Sequence, residues 1–147
     1  PKQLVAQLQQ RLQQHPEAKG YYLLGKLYQS LQDYPQAAQA LNRALQLDAV
    51  NPDIQFEYAQ TLFFLRKQLS GEAKQILNTL LKQHPDHINA LSLLALDAYT
   101  QKNYWQAIRY WQAILPHISP NDPTYGQLQQ AIAQAQQQQS QQQQAQT

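Results

Sequence analysis

The chain contains no cysteine, which excludes a disulfide framework, thiolate catalysis and cysteine-based zinc sites while leaving the redox compartment open. Charge is also scarce. Charged residues make up 14% of the chain, and glutamine alone outnumbers lysine, arginine, aspartate and glutamate combined, so much of the solvated surface is neutral amide. A net charge of +2 gives no broad basic footprint. Phosphate binding needs a clustered basic face, so nucleic acid is not expected as a main partner. No apolar run approaches the ~18 residues of a membrane span, and no signal-peptide pattern is visible. The sequence starts at Pro1 without Met, which leaves an upstream anchor or signal as an expectation. Also lacking are a nucleophile and base in a recognisable setting, a Gly-rich phosphate loop and a carboxylate pair among motif residues. The expectation is therefore a non-enzyme without cofactor or metal.

What the chain does have is internal repetition. Asp33 to Leu45 and Asn103 to Leu115 each run from an acid or amide through Tyr to Gln-Ala. They are separated by about two tetratricopeptide (TPR) periods of ~34 residues, and a third copy lies between them at Glu72-Ala73. Read against the repeat pattern, the first copy places Tyr21, Leu24, Gly25, Tyr28, Ala37, Leu41 and Ala44 at consensus sites. The second places Gln55, Tyr58, Ala59, Leu62, Ala73, Leu77, Leu80 and Pro85 there, and the third Leu91, Leu94, Ala95, Ala98, Ala107, Trp111 and Ile114.

Small residues recur because paired helices about 8–10 Å apart leave no room for a branched side chain at their crossing. Gly25, Ala59 and Ala95 supply that space on the first helix of each pair, and Ala37, Ala73 and Ala107 on the second. The separation from Ala59 to Ala73 is longer by two residues than in the other pairs, which predicts a longer middle turn around Arg66 to Gly71. Asn51-Pro52 and Asp122-Pro123 each place a side-chain acceptor before a proline suited to a first helical turn. The spacing predicts helices over 3–14, 17–31, 35–47, 52–65, 71–83, 87–101, 104–115 and 123–138.

The expected fold is all-α: a right-handed superhelical solenoid of three TPR helix pairs, with repeats at about 18–51, 52–87 and 88–121. An N-terminal half-repeat helix carrying Leu4, Leu8 and Leu12 on one face covers the start. A capping helix at 123–138 with Tyr125, Leu128, Ile132 and Ala135 covers the end, as such arrays require. Residues 1–138 then form one domain. From Gln136 to Thr147 the chain is low-complexity glutamine, so 139–147 reads as a disordered tail.

Repeat arrays act mainly through surface, so the candidate site is a groove. In a TPR pair the first helices line the concave face, and their second, fifth, ninth and twelfth or thirteenth positions face inward. Those positions include Lys19, Tyr22, Lys26 and Gln29 in the first repeat, Phe56, Gln60 and Phe63 in the second, and Asn89, Ser92, Leu96 and Tyr99 in the third. Tyr22, Phe56, Phe63, Leu96 and Tyr99 would leave an apolar patch facing a cavity, which usually marks a binding site. Gln29, Gln60 and Asn89 would offer hydrogen bonds to a peptide main chain, and Lys19 and Lys26 would meet a terminal carboxylate. The alternative is that the capping helix or the tail folds back over part of this groove. Tyr28, Tyr58, Tyr104 and Trp111 fall instead on packing positions. His84-Pro85-Asp86-His87 is the one metal-like cluster; with two imidazoles across a turn and no third ligand nearby, it reads as a surface turn.

Three segments carry a more specific likeness: LLGKLYQSLQDYPQAAQALNRALQL from Leu23 to Leu47, QTLFFLRKQLSGEAKQIL from Gln60 to Leu77, and LLALDAYTQKNYWQAI from Leu93 to Ile108. They resemble the TPR subunit of bacterial cytochrome c haem lyase complexes. That family includes the subunit serving formate-dependent nitrite reductase and the C-terminal domain of the general cytochrome c maturation subunit. The resemblance implies a periplasmic module anchored to the inner membrane through a segment absent from this sequence. It also implies partners: the C-terminal segment of an apocytochrome c, and haem lyase membrane subunits that attach haem while that segment is held. The clamp of Lys and Asn by which chaperone-docking relatives grip an acidic C-terminus is not reproduced, because Tyr22 stands at its first Lys position and Ser92 and Leu93 replace basic residues. The competing readings are a scaffold for a pilus, secretion or other envelope complex, and an enzyme using His84 and His87.

Overall fold

A computed structural model describes residues 1–146, and the described residues form eight α-helices and one 3₁₀ turn, with no strand. The helices are α1 (Lys2–Gln14), α2 (Ala18–Ser30), α3 (Tyr34–Leu47), α4 (Pro52–Arg66), α5 (Gly71–Gln83), α6 (Ile88–Thr100), α7 (Tyr104–Ile114) and α8 (Pro123–Ala145). The 3₁₀ turn, Leu115–His117, follows α7. Where the sequence was read as one domain over 1–138, the chain divides into two compact units, Pro1–Leu80 and the residues from Leu81 onward.

Helix starts are set by side-chain acceptors that take the otherwise orphaned N–H groups of the first turn. Asn51 accepts from the amides of Asp53 and Ile54 at 3.0 and 3.3 Å. Asp122 does the same for Thr124 at 2.9 Å, and in both helices proline occupies the first turn. Asp33 and Asn103 each have two tasks. Their amides donate to Tyr28 and Ala98 carbonyls, closing α2 and α6, while their side chains accept from Gln36 and Gln106 and open α3 and α7. The preceding residues, Gln32 and Lys102, sit at φ 59° and 63°, the left-handed geometry that ends a helix.

In the first unit, α2 and α3 form an antiparallel pair around Gly25 and Ala37. A Cβ built on Gly25 would lie 2.6 Å from Cγ of Leu41, so the close crossing has space for hydrogen alone. Ala37, Leu41, Ala44, Ala59, Ala73, Leu77 and Leu80 are fully buried, which bears out the small-residue positions read from the repeat. Within α1, Val5 and Leu12 pack with Leu24 and Tyr28, whereas Leu4 is left exposed, so the Leu4, Leu8, Leu12 stripe is split between core and surface. The two extra residues of the middle pair do not all enter the turn. Helix α4 extends to Arg66, Lys67 takes the left-handed position at φ 63°, and the remaining turn is pinned by buried Leu69.

In the second unit, Ala95 and Ala107 are fully buried at the crossing of α6 and α7. Ile132 and Ala135 of α8 pack with Ile108, alongside Tyr99, Tyr104, Trp111 and Leu115. The capping role expected of this helix is therefore met. Its length is not as expected: it runs to Ala145, through residues read from composition as a disordered tail. Glutamine and alanine are good helix formers, and a helix already nucleated on Ile132 and Ala135 extends at little cost. Thr147, the end of the expected tail, lies outside the described residues.

Candidate functional site

The residues expected to line a binding face sit on the first helices, α2 and α4 in the first unit and α6 in the second. On α2 and α4 they are joined by a polar network. Gln29 donates to Glu57 Oε2 at 3.0 Å and to Thr61 Oγ1 at 2.7 Å, while Lys26 Nζ lies 2.9 Å from Glu57 Oε1. Thr61, itself fully buried, donates to the Glu57 carbonyl at 2.8 Å. Glu57 thus neutralises one of the two cations that would otherwise meet a ligand carboxylate. Lys19 remains exposed but lines a pocket of about 220 Å³ with Tyr22, Asp48, Asn51, Asp53 and Ile54. Its acidic neighbours make this a poor seat for a carboxylate. Burial and then the Glu57 charge raise the Tyr22 hydroxyl above its usual pKa, so Tyr22 is a neutral donor at physiological pH.

Two of the aromatic residues expected to face a cavity do not. Phe56 is 9% exposed and Phe63 8% exposed. The reason is that α4 is buried around much of its circumference, with Ile54, Gln55, Phe56, Tyr58, Ala59, Thr61, Leu62 and Phe63 all withdrawn from water. The ring that emerges is Phe64, which lies tilted against Tyr34 at 5.5 Å and meets Phe63 edge-on at 6.1 Å. Tyr99 is also a packing residue, half-buried with ring centroids 5.4 Å from Tyr104 and 5.8 Å from Trp111. The alternative that the capping helix covers part of the site applies at Tyr99, which shares a cluster with Ile132 and Ala135. Leu96 is 46% exposed, Asn89 and Ser92 are exposed, and Gln60 is half-buried.

The packing aromatics are where the repeat places them. Tyr28 and Tyr58 are buried, and the Tyr58 hydroxyl donates to Glu72 Oε1 at 3.1 Å, tying α4 to α5. Desolvation and then the Glu72 charge push the Tyr58 pKa up to about 12. His87, half of the metal-like pair, caps α6: its Nδ1 accepts from the Ala90 amide at 3.1 Å. Among the described residues no three His, Cys, Asp or Glu side chains gather in a group able to hold a metal ion. No described helix is long and apolar enough to cross a membrane.

Comparison with known proteins places this geometry. The model of the cytochrome c-type biogenesis protein H TPR domain matches residues 2–125. The chain belongs to this family. It is 29% identical over 135 residues to the cytochrome c-type biogenesis protein CycH of Pseudomonas aeruginosa, covering 90% of this chain and 33% of that protein. It is 31% identical over 122 residues to the formate-dependent nitrite reductase complex subunit NrfG of Escherichia coli O157:H7, covering 82% of this chain and 62% of that protein. The chain thus spans between one third and two thirds of these relatives' own lengths. Among solved structures, the TPR2B domain of yeast Sti1, in its complex with pHsp70, superposes with a TM-score of 0.70 at 22% identity, over 82% of this chain and 97% of that one. That likeness fixes the TPR fold.

This member of the cytochrome c-type biogenesis TPR family also has a surface that the repeat pattern did not flag, seen in its own structure. A groove of about 600 Å³ lies between α1 and α2, walled by Leu4, Leu8, Leu23 and Leu27.

Proposed function

We propose that this TPR domain is a non-enzymatic module of the periplasm that holds the C-terminal segment of an apocytochrome c and presents it to the membrane subunits of a haem lyase, itself attached to the inner membrane by polypeptide outside this sequence. The observation that carries the reading is the match of residues 2–125 to the biogenesis TPR family. The role needs a surface and no reacting group. Haem chemistry belongs to the partners, and this chain contributes orientation of the segment to be modified.

We assign the holding to the expected side chains that keep solvent-facing surface. Tyr22, Gln60, Asn89, Ser92 and Leu96 retain surface on the first helices, together with Lys19. Phe56 and Phe63 are buried, Tyr99 is half-buried against Tyr104 and Trp111, and Lys26 and Gln29 are engaged by Glu57. On α6, Asn89 and exposed Leu96 suit a peptide held by a main-chain hydrogen bond and an apolar anchor.

Calorimetric titration with a peptide from an apocytochrome c C-terminus tests the proposal. Saturable binding that is weakened by Leu96→Asp and Gln60→Ala, with folding unchanged, supports it. Absence of binding up to millimolar peptide, or binding indifferent to both substitutions, removes it.

A further inference from the structure

We propose that the pocket lined by α1, α2 and α3 is a binding site for a small carboxylate bearing an amide, the chemistry of an N-acylated amino acid, either free or as the last residue of a chain. The site lies within the first unit and uses none of the side chains assigned above to the client segment. Its volume is about 350 Å³, at the small end of the range for ligand pockets. Three helices supply its walls, with Gln9 and Gln13 on α1, Tyr21 and Tyr28 on α2, and Gln36 and Gln39 on α3.

Arg43 sets the charge preference. It too lines the pocket, its guanidinium lies over the Tyr21 ring at 5.3 Å, and among the described residues it makes no ion pair. A guanidinium stacked on an aromatic face keeps its planar edge for two parallel hydrogen bonds, the arrangement that a carboxylate completes. No acidic side chain lines the pocket to compete for it. An ammonium group entering here would meet a cation and no counter-charge, so a zwitterionic amino acid is disfavoured against one whose nitrogen is acylated.

Tyr28 supplies a second signal. Its side chain is 8% exposed, and its hydroxyl accepts from Gln9 Nε2. That leaves the hydroxyl proton without an acceptor among the described residues, a state that buried donors avoid. A ligand oxygen would take it. The side-chain amides of Gln13, Gln36 and Gln39 make no hydrogen bond among the described residues, and they offer the donors and acceptors that match an acyl-amide N–H and C=O. Leu12, Leu24 and Ala40, all buried, give an apolar floor for an aliphatic side chain. In the second repeat the corresponding positions are spent within the protein. Glu72 stands for Gln36 and accepts from Tyr58, while Gln55 stands for Tyr21 and donates to the Ala49 carbonyl at 3.0 Å. The first repeat has a neutral amide in place of that acid, and the carboxylate is left for a ligand to bring.

Calorimetric titration of the intact chain with N-acetylleucine tests the site, with N-acetylleucinamide, free leucine and a tripeptide ending in leucine as companions. N-acetylleucine is expected to bind saturably, and the uncharged amide and free leucine to fail. Arg43→Gln, at an exposed position, should weaken binding by about tenfold or more, the scale of a charged hydrogen bond. Tyr28→Phe keeps the packing and removes the inward proton, and should weaken it by about fivefold. Gln39→Glu keeps the arginine but sets a carboxylate one helical turn before it. It should weaken binding while leaving the thermal midpoint level or higher, which separates loss of the unpaired cation from loss of structure. Leu96→Asp should change nothing, which separates this pocket from the proposed client face. Binding of N-acetylleucine alone assigns the site to free acids, and tighter binding of the tripeptide assigns it to a chain terminus; either result upholds the proposal. Absence of saturable binding by both acids up to millimolar concentration, equal binding of N-acetylleucinamide, or binding indifferent to Arg43→Gln overturns it.

Discussion

Gly25 and Leu41 are in direct contact at the crossing of α2 and α3, with 2.6 Å between Leu41 Cγ and the position a Cβ would take on Gly25. Leu41 is fully buried and cannot swing into solvent. Gly25→Ala is expected to destabilise the fold by about 1 kcal/mol: overpacking costs about 1–3 kcal/mol, and the gain in helix propensity returns about 1. Gly126→Ala in α8, where a Cβ would meet nothing within 4 Å, should stabilise by up to about 1 kcal/mol. Urea unfolding of the two variants should move the midpoint in opposite directions.

The Gln29, Glu57 and Thr61 bonds predict an uneven response to mutation. Gln29→Ala removes two hydrogen bonds, one of them to buried Thr61, and should cost about 1–2 kcal/mol. Lys26→Ala removes an ion pair whose lysine is 44% exposed, so its loss should be below about 1 kcal/mol and smaller still in high salt. Equal costs for the two substitutions, by chemical denaturation, would contradict this division.

Tyr58 predicts alkaline sensitivity. Its hydroxyl, normally at pKa 10.0, is pushed up to about 12 in the fold. Below about pH 10 it is protonated in both folded and unfolded chains. Between 10 and about 12 only the unfolded chain releases the proton, so stability falls as pH rises through that window. Tyr22 and Tyr110 shift in the same direction through burial and add to the effect. Tyr58→Phe should flatten the decline, and the ultraviolet absorbance of phenolate, followed against pH, should show one tyrosine fewer appearing late.

The end of α8 should be dispensable while its middle is not. Residues after Gln138 are largely exposed, and Gln142 Nε2 donating to the Lys102 carbonyl at 3.2 Å is one polar tie among them. Truncation after Gln138 should cost about 1 kcal/mol or less, whereas Ile132→Ala, in the cluster with Ile108 and Ala135, should cost about 2 kcal/mol or more. Thermal melts of the two proteins decide the matter.

Phe63→Ala is expected to lower stability by about 3 kcal/mol while leaving any peptide affinity of the folded protein close to unchanged. Leu96→Asp should do the reverse. If Phe63→Ala instead abolished binding in a protein of unaltered stability, its burial would not be what governs its role.

The helix pairs were legible because their constraints are local and repeated. Gly25, Ala37 and Ala107 announce close crossings, and Asn51, Asp122 and their prolines announce helix starts, through contacts that the sequence lists directly. The inward faces were less legible. Helix α4 has so little solvated surface that its residues show no clear polar stripe, and a consensus position could not tell Phe63 from Phe64. The packing of Tyr99 was hidden for another reason: its partial burial depends on Tyr104, Trp111 and the helix at Ile132, none of which its own position reveals. The glutamine-rich end was misread because composition describes what cannot form a core, and α8 needs only two anchoring residues to continue as a helix.

Asp33 and Asn103 each finish one helix and begin the next, so in those hairpins a single inserted residue would separate the two duties and leave one helix end open. In the middle pair the duties already belong to different residues, Lys67 at the close of α4 and Ser70, whose hydroxyl accepts from the Ala73 amide at 3.4 Å, at the opening of α5. Length variation within this lineage, and any engineered tag or graft, should therefore be better tolerated beside exposed Gln68, ahead of buried Leu69, than at the other two bends.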